Sequence, residues 1–160
     1  MTTLANVNFD EAIEPQPLPK GKYPVQITAA EEKASGPNSK NPGSPMIVVT
    51  AGFTGTSAEE QNAPTVRHFI SLPGDADAPD SAKFKVLLLK RFMHAFGLQV
   101  PQGNVDIDVD KLCFDLMGRE ATLEVSLSEP NDTGDVYNGF VIPRIPNEPV
   151  SGRSGGRRGN

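Results

Sequence analysis

Apolar and polar residues alternate with a period of two in several separated stretches of the chain. In residues 21–33, GKYPVQITAAEEK, Tyr23, Val25, Ile27 and Ala29 alternate with Lys22, Gln26 and Thr28, the pattern of a half-buried strand. Pro24 lacks the N–H a ladder needs, so it is expected at an edge or a bulge. Residues 46–53, MIVVTAGF, are a β-branched run suited to a well-covered strand. Between Thr65 and Leu72 the alternation returns, with Val66, His68, Ile70 and Leu72 on one face and Thr65, Arg67, Phe69 and Ser71 on the other. Ala121, Leu123, Val125 and Leu127 mark a fourth strand by the cleanest alternation in the chain. VYNGFVIPRI, residues 136–145, supplies the fifth. Asn138-Gly139 has the composition of a hairpin turn, but a bulge there leaves the last two strands better matched in length.

The pattern changes to a helical period over Asp80–Gly97, DSAKFKVLLLKRFMHAFG. On a helical wheel Phe84, Leu88, Phe92, Ala95 and Phe96 share a side, widened by Val86, Leu89 and Met93. A stripe this broad is expected to be covered by protein. Asp80 or Ser81 is placed to cap the first turn, and Gly97 suits the left-handed residue that ends the helix. A single helical turn is expected in residues 110–118, DKLCFDLMG, packing Leu112, Phe114 and Leu116. Polar or turn-rich segments join these elements, the longest being residues 35–45, SGPNSKNPGSP.

Three strands, a helix and two strands are the order of an OB-fold, a five-stranded, partly open barrel with a helix between strands three and four. The expected class is therefore mainly β with some α. A flat five-stranded sheet covered by one helix is the plainer alternative. Residues 1–20 read as a surface arm with Phe9 and Ile13 as anchors, residues 21–148 as the barrel domain, and residues 149–160 as a flexible Gly- and Arg-rich tail.

Composition narrows the function classes. The chain has 160 residues, 37% of them hydrophobic, with fifteen Gly and fifteen Pro, which favours short elements and turns. One cysteine, Cys113, allows no internal disulfide and points to a reducing compartment. No leader or membrane-length apolar run is visible, so a soluble intracellular protein is expected. The net charge is -5, yet the tail holds Arg153, Arg157 and Arg158 and no acid. Without these three, twelve Lys and Arg face twenty Asp and Glu, so the body stands near -8. That balance argues against a broad duplex-binding face and leaves room for a narrow basic groove.

No enzyme constellation is legible, and neither cofactor nor metal is expected. His68 falls on an apolar strand face and His94 at a helix end, where the dipole favours a cation. Cys113 reads as a small buried group. Asp106, Asp108 and Asp110 have the opening spacing of a calcium loop. However, Lys111 stands where that loop needs Gly and Met117 where it needs Glu.

Binding of a single strand needs cations for the backbone and aromatic faces for the bases. The outward set that meets this need is Lys22, Arg67, Phe69, Tyr137 and Arg144. Lys33 and Lys40 join it from the flanking loop, and Arg153, Arg157 and Arg158 from the tail. Phe69 is the most informative, because its neighbours already claim the inner face. The plainer reading packs Phe69 under the arm or a subunit contact. Glu124, on the same outward face, weakens the positive field.

The segments LPKGKYPVQI, LLLKRFMHAFGL, FDLMGREATLEVSL and YNGFVIPRI resemble a family of small bacteriophage proteins encoded beside recombination and replication genes. Over residues 18–145 the resemblance implies an OB-fold single-stranded DNA-binding protein. Such a protein is sequence-tolerant and non-catalytic, and acts in the cytoplasm of an infected bacterial host. Its implied partners are single-stranded DNA and phage replication or recombination proteins, with no membrane, and self-association is compatible with it. The chain departs from many single-strand binders by ending in SGRSGGRRGN rather than an acidic, partner-recruiting tail. A capsid-decorating β-domain is the alternative from another class, and a module that binds a host protein is a third.

Overall fold

The sheet is organised on β1 (Gly21–Ala34), which pairs β4 (Glu120–Leu127) along its first half and β2 (Pro45–Phe53) along its second. The computed structural model describes residues 1–38, 43–146 and 148. β3 (Val66–Ser71) pairs β2, and β5 (Asn138–Val141) pairs β4, giving the antiparallel order β3-β2-β1-β4-β5. The two outer strands, β3 and β5, approach one another and nearly close the sheet. His68 of β3 and Phe140 of β5 meet across that gap with ring centroids 6.3 Å apart. This is the five-stranded OB-fold-like barrel that the element order predicts.

A bulge lets one strand serve both halves of the barrel. Ile27 pairs Ala51 and Ala29 pairs Thr50, so Thr28 is the extra residue, and its hydroxyl donates to the Thr50 carbonyl at 3.2 Å. The bulge overturns one expectation: Ala29 turns outward, and Ala30 packs on the core instead. Pro24 stands just before the β1–β2 ladder begins at Val25; its carbonyl accepts from Thr54 N–H at 3.0 Å, and at this end of the ladder its missing N–H is tolerated. Asn138 and Gly139 sit in regular register with Leu127 and Ser126, so no bulge occurs in β5.

The connection from β2 to β3, expected to be irregular, contains the short α1 (Ala58–Gln61), capped by the Ser57 hydroxyl. From β3 to β4 there are two helices rather than one, α2 (Pro79–Ala95) and α3 (Val109–Leu116). α2 drives Leu89, Phe92, Met93 and Phe96 into the core beside Val25, Ile27, Ile47 and Ile70. All four belong to the expected stripe, but its Phe84–Leu88 edge stays outside the core. Phe84 and Leu88 are exposed, 57% and 43%, whereas Lys85 is largely covered and binds both oxygens of Asp77. Neither Asp80 nor Ser81 caps the helix: Ala78 is the N-cap, without a side-chain bond, and Pro79 opens the first turn. The end is as expected. Gly97 has φ +77°, Leu98 N–H donates to Met93 and Gly97 N–H to His94, which satisfies the terminal carbonyls. α3 is two turns long and buries Leu112, Cys113 and Leu116, but Phe114 points to solvent.

Phe9 and Ile13 are exposed and anchor nothing among the described residues. The arm is held instead at Leu18, 2% exposed. Its N–H donates to Asn138 Oδ1 and its carbonyl accepts from Asn138 Nδ2, both at 2.8 Å.

Candidate nucleic-acid interface

Strand registers place the outward side chains of β1, β2 and β3 in three rows. Lys33, Met46 and Ser71 form one, Glu31, Val48 and Phe69 the next, and Ala29, Thr50 and Arg67 the third. Neighbouring strands lie about 4.8 Å apart, so each row spans roughly 10 Å. Val48 is only 4% exposed although it faces outward, so it forms an apolar floor. Phe69 on one side of it stays 55% exposed. The Arg67 guanidinium lies over the Phe69 ring, 5.4 Å from its centroid, a cation–π contact that sets a positive charge on one face of the ring and leaves the other for a partner. Across the floor, Lys33 pairs with Glu31 at 3.0 Å, with both side chains at least half exposed.

The structure therefore gathers Lys33, Arg67 and Phe69 onto one surface. Lys33 belongs to β1, not to the following loop where it was expected. Lys22 is also outward, but on the half of β1 that pairs β4, directly opposite Glu124. Tyr137 is exposed at the start of β5, with its hydroxyl accepting from Asn131 Nδ2 at 3.4 Å. Its backbone N–H donates to Ser128 Oγ at 2.9 Å. Arg144 is exposed just beyond β5. Lys40, Arg153, Arg157 and Arg158 lie outside the described residues.

The groups weighed for other chemistry have structural surroundings. His68 faces inward and stacks on Phe92, centroids 5.1 Å apart and planes 8° from parallel, and burial holds its pKa below the ordinary value. Burial raises the Cys113 thiol, with the carboxylates of Asp110, Glu32 and Glu31 adding to the shift. That is the opposite of what an activated thiolate requires. Asp108 caps α3 by accepting from Lys111 N–H at 3.2 Å. No group of three potential metal ligands occurs among the described residues. No helix there is long and apolar enough to cross a membrane.

Some features carried no legible signal in the sequence. The Glu31–Lys33 pair shares the outer face with Phe69 only because of the Thr28 bulge. A second concavity of about 1060 Å³ lies between α2 and residues 100–107, walled by Val86, Leu89, Met93, Val105 and Ile107. Each of its walls comes from a different part of the chain.

No protein-family model matches this chain, and no curated protein matches it significantly. The fold and the β1–β3 surface are thus the ground on which function is argued. A five-stranded barrel of this kind is an architecture generally associated with nucleic-acid binding, through its strand 2–3 face and adjoining loops.

Proposed function

We propose that this protein binds single-stranded DNA without catalysis and with broad tolerance of sequence, in the replication or recombination of bacteriophage DNA. The observation that carries the proposal is Phe69, a large aromatic left exposed on the outer face of β3 with Arg67 against its ring. A base stacks on the ring while Arg67 and Lys33 meet flanking phosphates. Tyr137 and Arg144 extend the track toward β5, and Lys22 lies at its margin beside Glu124. The basic tail residues add sequence-independent attraction. The acidic body keeps duplex affinity low, and phage replication or recombination proteins are the expected protein partners.

Fluorescence anisotropy with a labelled oligo-dT in low and moderate salt tests the proposal. Binding is expected to weaken steeply with salt and to be much poorer for duplex. Phe69→Ala should lower affinity about fivefold or more, since stacking contributes about 1–3 kcal/mol per base. Its thermal melt should match the parent's. An unchanged affinity in that variant, or no binding at low salt, overturns the assignment.

One observation favours the second reading, a virion β-domain. The arm leaves Leu4, Val7, Phe9 and Ile13 exposed, as a segment seated on a neighbouring subunit would. Sedimentation showing stable rings that ignore oligonucleotides would favour it.

A further inference from the structure

We infer that Glu31 selects among the bases that stack on Phe69, and that it favours guanine. The inference rests on the interface proposed above and adds a graded preference to an otherwise tolerant site. Glu31 and Phe69 are the two register partners of Val48, on opposite sides of it and both outward. A base lying on Phe69 with its sugar toward solvent presents its Watson–Crick edge to β1, about two strand spacings away. There it meets a fixed acceptor–donor pair. Lys33 Nζ holds Glu31 Oε1 at 3.0 Å, which leaves Oε2 and further lone pairs of Oε1 to accept.

Guanine alone offers two parallel donors to a carboxylate, N1–H and N2–H. Charge-assisted two-pronged pairs of this kind are the strong class of hydrogen bond. Adenine, cytosine and thymine each give a carboxylate only one donor along that edge. In a duplex the same edge is occupied by the complementary strand, so the contact also disfavours paired DNA.

The test uses the full chain and a labelled oligo-dT of about ten nucleotides, within the span of one barrel of this size. The central thymine is replaced in turn by guanine, hypoxanthine or adenine. Hypoxanthine stacks as a purine and keeps N1–H and O6 but lacks the N2 amino group. The guanine oligonucleotide is expected to bind about fivefold tighter than the adenine one, the low end of what a two-pronged pair contributes. Hypoxanthine should fall between them. In Glu31→Gln the guanine preference over adenine and hypoxanthine should be lost, while the thermal melt matches the parent's. Binding of all oligonucleotides without a guanine preference, or a preference that survives Glu31→Gln, overturns the inference and leaves the interface standing. Failure of the parent to bind any of them in low salt overturns both.

Discussion

Replacing Asn138 by Ala removes the one side chain that ties the N-terminal arm to the barrel's last strand. Its amide makes three bonds: it accepts from Leu18 N–H at 2.8 Å and donates to the carbonyls of Leu18 at 2.8 Å and Ser126 at 3.2 Å. A neutral hydrogen bond contributes about 1 kcal/mol net, so the three are worth roughly 2–3 kcal/mol. The loss also loosens Leu18, one of the most completely buried side chains in the protein. For a chain of this length the change lowers Tm by about 5–10 °C. Asn138→Asp keeps the acceptor but turns an oxygen toward two carbonyls, so it should be no more stable than Asn138→Ala. Urea unfolding followed by circular dichroism reads the energy, and hydrogen exchange at the Leu18 amide reads the location. If Leu18→Ala is combined with Asn138→Ala, the losses should be less than additive, because Asn138→Ala already loosens the Leu18 side chain whose burial Leu18→Ala removes. A loss below about 0.5 kcal/mol, or Leu18 exchange unchanged in Asn138→Ala, would refute the clamp.

Two further predictions concern pH. The neutral form of His68 is favoured by burial, so its folded pKa lies below the unfolded value of 6.5. Stability from this residue is present above that value and declines as pH falls from about 6.5 toward the folded pKa. His68→Phe, which keeps a ring against Phe92, should flatten the Tm profile in that window; an identical slope would show the acid sensitivity to lie elsewhere. The bond from Lys85, followed by that from Gly74 N–H, holds the Asp77 carboxyl below its usual range. Its contribution is therefore present above about pH 4 and lost below, and Asp77→Asn should show a smaller acid drop in Tm than the parent. An equal drop would remove the Asp77–Lys85 pair from the account of acid stability.

The strands were legible because each buries one face, and burial on one face writes a period of two into the sequence. β3 and β4 follow that rule closely, with Val66 and Ile70 inward against Arg67 and Phe69, and Leu123 and Val125 inward against Thr122 and Glu124. The end of α2 was legible for a local reason, since Gly97 adopts a conformation other residues resist. The stripe of α2 was legible in part: Leu89, Phe92, Met93 and Phe96 are buried as expected, but Phe84, Val86 and Leu88 are exposed. With Phe84, Val86, Leu87, Leu88 and Leu89 spread around the helix, hydrophobicity fails to choose a side. Polar contacts mark the covered side instead: Asp77, eight residues before it, binds Lys85, and Glu148, 57 residues on, binds Arg91 through two bonds of 3.0 and 2.8 Å. The arm misled for the same reason. Leu18 looks weaker than Phe9 as an anchor until Asn138, 120 residues away, is placed beside it.

The Thr28 bulge matters more for function than its single residue suggests. Without it, the alternation that turns Val25 and Ile27 inward would carry Ala29, Glu31 and Lys33 inward as well. That would put two charged side chains on the inward parity, where the shifted register leaves one, Glu32, itself exposed. The extra residue reverses the parity, so Ala30 packs inward while Glu31 and Lys33 emerge beside Val48 and Met46. The same inserted residue thus leaves one charge on the inward parity and sets Glu31 and Lys33 on the outer face with Phe69. Sequence alternation alone puts Lys33 on the wrong side or in the loop, because parity is set by register with β2 rather than by β1 itself. The arrangement therefore couples barrel closure to the chemistry of the outer face: one strand bends to pair with both β2 and β4, and the bend decides which charges that face carries.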